Sequence, residues 1–94
     1  MLVEGTNGKG TVKVNKVEGN SSAAGATIAI GGTGQKVISC WADNSYSTPA
    51  SGNFYIAEQL LHSNGSTYAV IRDLNNLAKQ GGASVRVWYA YIDE

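Results

Sequence analysis

His62 is the only histidine in the chain and Ser63 follows it directly, so any histidine-based catalysis must run through this residue. A Ser-His-Asp arrangement is defined by spatial roles, which adjacency does not supply. A lone histidine at a strand end more often caps the strand or faces solvent. The carboxylates are Glu4, Glu18, Asp43, Glu58, Asp73, Asp93 and Glu94. Their scatter gives no pair suited to glycoside hydrolysis. Glu58 alone interrupts an apolar strand pattern and is the one candidate for a perturbed carboxyl. Its simpler use is an ion pair with Arg72 or Arg86 across a sheet, or a place in solvent. Cys40 is the single cysteine, which excludes an internal disulfide and a multi-cysteine zinc site. No ligand cluster for a metal and no cofactor motif is present, and the chain is expected not to be an enzyme.

Two glycine-rich segments resemble phosphate loops only at first sight. In Gly5-Thr6-Asn7-Gly8-Lys9-Gly10-Thr11, Gly10 separates the lysine from the threonine that the phosphate-binding motif requires next to it. Neither this segment nor Gly31-Gly32-Thr33-Gly34-Gln35-Lys36 lies between a strand and a helix, so both are expected to be turns. The segment Trp41-Ala42-Asp43-Asn44-Ser45-Tyr46 has more chemical content. An indole can stack on the apolar face of a sugar while Asp43 and Asn44 bond its hydroxyls, with Tyr46 beside them on a loop. These four residues form the candidate glycan site. The plainer expectation, and the favoured one, is that Trp41 fills the core and Asp43-Asn44 open a turn.

The elements that would position these groups are β-strands. Thr11 to Val17 alternates polar and apolar residues, and Ala26 to Ile30 repeats the alternation. A Gly/Ser/Asn/Ala linker separates the two, which predicts a glycine-punctuated hairpin over residues 1–35, or an arm reaching another subunit. Residues 36–94 form the body, and the whole chain is read as one domain. Lys36–Trp41 reads as a central strand. Residues 54–61 fit a strand or a short helix; the strand is preferred because Asn64-Gly65 can then close a hairpin into Thr67–Arg72. Residues 73–82 fit one helical turn or a long β-connection.

Ser84–Ile92 is the clearest strand. Val85, Val87, Tyr89 and Tyr91 share one face, and Arg86, Trp88, Ala90 and Ile92 share the other. Both faces are apolar or aromatic from Val87 onward. A domain of 94 residues buries roughly 60–70% of its unfolded surface around one core. The second face is therefore expected to be covered by a neighbouring subunit or a ligand, with a central strand under two layers as the plainer alternative; a subunit there places Val87, Trp88, Tyr89, Tyr91 and Ile92 in an oligomer interface.

Composition narrows the function classes further. Seven basic and seven acidic residues cancel, so the cationic field that drives phosphate-backbone binding is missing and no nucleic-acid partner is expected. Charged residues are 15% of the chain, where about 25% is usual, and twelve glycines accompany one proline. Residues 1–40 carry a net +2 and residues 41–94 a net −2, a separation that favours contacts between copies. The longest apolar run, Val87 to Ile92, is too short to cross a membrane, and Met1-Leu2-Val3-Glu4 does not open like a signal peptide. Synthesis in a reducing cytoplasm without classical export is the expectation.

The Gly/Ser-rich opening of Gly5–Gly34, the strand Lys36–Trp41 and the aromatic strand Ser84–Ile92 together resemble small structural proteins of tailed-bacteriophage particles: decoration proteins, or fibre tip and base modules. The resemblance implies an all-β chain, a small antiparallel β-sandwich or jelly-roll-like module with the Gly-rich N-terminal hairpin or arm. It also implies a non-enzymatic virion protein, assembled in the host cytoplasm, that homo-oligomerises, with a trimer favoured, and attaches to a capsid or tail protein. A lectin-like module that recognises a cell-surface glycan is the alternative.

Overall fold

Alternation of side chains along each strand decides the architecture. The computed structural model describes residues 11–46, 54–61 and 65–94. Six strands form: β1 (Lys13–Asn20), β2 (Thr27–Ile30), β3 (Gln35–Ala42), β4 (Tyr55–Leu61), β5 (Thr67–Asp73) and β6 (Ser84–Asp93). They make two antiparallel three-stranded sheets, ordered β1-β6-β3 and β2-β5-β4, packed face to face as a small β-sandwich. No helix forms among the described residues.

The core lies between the sheets. From β6 come Val85, Val87 and Tyr89, from β3 Val37, and from the facing sheet Ile30, Ala69 and Ile71. Val17, Ile28, Cys40, Tyr55, Ala57, Ala83 and Tyr91 pack around them, half-buried. Burying each valine or isoleucine contributes about 1.5–3 kcal/mol. Side-chain bonds to the backbone clamp the layers together. The Asn44 amide donates to Tyr55 O at 2.9 Å and accepts from Tyr55 N at 2.8 Å. Gln59 Nε2 donates to Val37 O at 3.2 Å. The buried Ser21 hydroxyl donates to Gln80 O and accepts from Ala83 N, fixing the 74–83 connection.

The N-terminal strands depart from the expected hairpin. β1 pairs with β6 and β2 with β5, so consecutive strands belong to opposite sheets. The reversal at Ser22–Ala26, where Ala26 takes a left-handed φ of 58°, carries the chain between layers. Residues 54–61 are a strand, as preferred. Residues 74–83 form turns and one bridge, Arg72↔Lys79, so the long β-connection is the alternative realised.

Candidate functional site

The outer face of sheet β1-β6-β3 collects the aromatic and charged residues singled out above. β6 presents Arg86, Trp88, Ala90 and Ile92 outward, because Val85, Val87 and Tyr89 face the core. The β1 register sets Glu18 beside Arg86, Lys16 beside Trp88 and Val14 beside Ala90. On the other flank, β3 sets Trp41 beside Trp88.

A bulge determines that last placement. The β3–β6 register shifts between Val37 and Ser39, leaving one extra residue, Ile38. Unbroken alternation from Val37 would send Trp41 inward. The extra residue turns Cys40 to the core and Trp41 to solvent, 45% exposed. The expectation that Trp41 fills the core is thereby corrected.

Asp43, immediately after β3, organises the face. Its backbone N–H donates to Arg86 O at 2.8 Å. Its Oδ1 accepts from Ser45 N at 3.1 Å and from Ser45 Oγ at 2.6 Å, closing a turn. Its Oδ2 accepts from Trp88 Nε1 at 2.9 Å and Arg86 Nη1 at 3.4 Å. The hydrogen bond from the Ser45 side chain, then that from Trp88, holds the Asp43 carboxyl well below the usual carboxylate range. Arg86 also donates from Nε to Glu18 Oε2 at 2.7 Å, and its guanidinium lies 4.2 Å from the centre of the Tyr46 ring. Lys16 Nζ stands 5.3 Å from the Trp88 ring.

Of the glycan candidates, Trp41 and Tyr46 are exposed, and Asp43 supports Trp88 and Arg86. Asn44 turns away, both ends of its amide taken by Tyr55. Among the oligomer candidates, Val87 and Tyr89 are 0% and 4% exposed. Both lie on the strand's inward-facing side, so placing them in an intersubunit contact is corrected. Tyr91, half-buried, lies beside Tyr89 with the rings tilted by 42° and their centres 5.5 Å apart. Trp88 and Ile92 remain half-exposed on the outer face. Glu58 pairs with Arg72 at 3.4 Å. His62 and the segment Gly5–Gly10 lie outside the described residues. Sequence reasoning missed the parts of Lys16, Glu18 and Arg86 in this face. A like-parity charge pattern, Lys16 and Glu18 on β1 and Arg86 on β6, was the available signal.

A second feature is an open polar cleft at one end of the sandwich, lined by Gly31, Gly34, Gly65, Tyr68 and Glu94 among others. Among the described residues, no buried side-chain polar atom lacks a partner, and no group of three potential ligands could hold a metal. The outer face offers two neighbouring indoles and a phenol bordered by charges that bond to one another. Chemically, that arrangement suits surface contact. No protein-family model matches the chain, and no curated protein and no solved structure matches it.

Proposed function

We propose that the chain is a non-catalytic structural module, a virion protein of the capsid-decoration or tail-fibre kind, that homo-oligomerises and attaches to a larger particle through the outer face of sheet β1-β6-β3. One observation carries this reading: Trp41, Tyr46, Ile38 and Val14 are all exposed on or beside that face. Aromatic side chains enclosed by polar ones characterise the centre and rim of protein interfaces. The charges at the border are satisfied within the chain, so an apolar protein surface can cover the indoles without stranding an ion. An antibody against the chain should label particles purified from the source culture, and Trp41→Ala should release the protein from them. Its presence only in the particle-free fraction would refute the attachment.

The pairing of Trp41 with Trp88 on one sheet face also favours a second reading, recognition of a glycan by stacking. Binding on a glycan array that disappears in Trp41→Ala, with circular dichroism unchanged, is its signature. Silence across the array leaves the protein-attachment reading in place.

A further inference from the structure

Among the described residues, no strand pairs with the outer edge of β1, and that edge is complementary to itself. Backbone groups along an edge strand alternate between the sheet and solvent. On β6, Arg86 O accepts from Asp43 N on the β3 side. The even-numbered residues of β6 therefore face β3, and the odd-numbered ones face β1. The odd residues of β1, registered against Val85, Val87, Tyr89 and Tyr91, consequently bond to β6. Val14, Lys16, Glu18 and Asn20 point their N–H and C=O groups away from the sheet. A separate observation agrees: the Lys16 N–H donates to the side chain of its own neighbour, Asn15 Oδ1, at 2.8 Å.

We infer that this edge pairs antiparallel with β1 of a second copy about a two-fold axis through Val17. In that register Lys16 lies opposite Glu18 of the second copy, and Glu18 opposite its Lys16, on the outer face. Each opposed pair exchanges both of its backbone hydrogen bonds. Val14 faces Asn20 of the second copy in the same way. The two Val17 side chains meet on the inner face and join the two cores. Charge selects this register among those that keep outward-facing groups opposed. A slip one way sets Lys16 against Lys16, and a slip the other way sets Glu18 against Glu18; both oppose like charges. Lysines on an edge ordinarily guard against pairing. Here the glutamate two residues on supplies their complement. Six of the eight β1 residues are exposed, as a free edge requires. The product is one six-stranded sheet, with the aromatic faces of both copies on the same side.

This inference deepens the proposed self-assembly and rests on it, but specifies a dimer where the bacteriophage resemblance favours a trimer. The full chain, followed by sedimentation equilibrium from micromolar to millimolar concentration, should form a dimer and nothing larger. Lys16→Pro should shift the dimer–monomer midpoint at least tenfold upward with unchanged circular dichroism. That position loses an outward N–H that the β1–β6 ladder does not use. Val17→Cys should give a disulfide-linked dimer under oxidised glutathione, because non-hydrogen-bonded antiparallel partners stand about 4.5 Å apart, within disulfide range. Asn15→Cys, opposite Gly19 of the second copy, and the wild type with Cys40 alone should not cross-link. A trimer, or a dimer that keeps its midpoint in Lys16→Pro and fails to cross-link in Val17→Cys, overturns edge pairing but leaves self-assembly standing. A monomer at every concentration, with no cross-link in Val17→Cys, overturns both.

Discussion

Trp88 Nε1 donates to Asp43 Oδ2 at 2.9 Å, tying the central indole of the outer sheet face to the turn that follows β3. The same carboxylate holds Arg86 and Ser45. One residue thus sets the position of the indole, the guanidinium over Tyr46, and the entry to the loop.

Stability should depend on the ionisation of Asp43. Its hydrogen bonds hold the folded-state carboxyl below the unfolded value of about 3.9. A group lowered on folding contributes stability above its unfolded pKa and loses it as pH falls toward the folded value. Asp43→Asn should therefore unfold at a lower temperature than wild type at pH 7. The gap should close progressively below about pH 4. Thermal melts at stepped pH would show it, and a gap independent of pH would contradict the assignment.

Asn44 lost its place in the candidate site because both ends of its amide clamp Tyr55. Asn44→Ala should leave the Tyr55 N–H and C=O without protein partners, at about 1–3 kcal/mol. The melting temperature of a domain this size falls by roughly 4–8 °C per kcal/mol. Surface binding, by array or particle, should survive in the remaining folded protein. A binding loss without a stability loss would return Asn44 to the site.

The period-two pattern of Ser84–Ile92 separated the two sides of β6, and the turn at Asp43-Asn44 followed from residue type. Which side faces the core was not legible, because Val87 and Tyr89 read as apolar as the outward Trp88. The position of Trp41 depends on the bulge at Ile38, where no glycine or proline marks the extra residue. The N-terminal hairpin failed for a different reason. In β1, alternation groups Val12 with Val14 and sets Val17 with Lys13 and Asn15, yet Val17 is the residue that packs against the core while Val14 is exposed; nor does alternation specify which sheet each strand joins. The complementarity of Lys16 and Glu18 was visible as spacing, yet it acquired meaning only when β1 proved to be an edge.

Left-handed backbone positions should respond in opposite directions to substitution. Leu77 is exposed and holds φ at 61°, a conformation that asparagine tolerates better. Leu77→Asn should raise stability by up to about 1 kcal/mol, since Arg72 bonds only the backbone oxygen there. Gly34 holds φ at 78° with open space around it. Gly34→Ala should cost about 1–2 kcal/mol from backbone strain alone. Urea unfolding of both variants would measure the two signs, and a loss in Leu77→Asn would mean that its side chain packs usefully.

The two tryptophans provide a means of separating the face from the edge. Trp41 stands exposed, whereas Trp88 is half-buried with its N–H bonded to Asp43. Acrylamide should quench Trp88→Phe, which retains Trp41, more strongly than Trp41→Phe, which retains Trp88. Pairing through β1 leaves Trp41 uncovered, because β3 is the far edge of the same sheet. Quenching of Trp88→Phe should then stay constant as the chain dimerises and fall only when the outer face meets its particle or glycan. Protection of Trp41 on dimerisation alone would instead place the self-contact on the aromatic face.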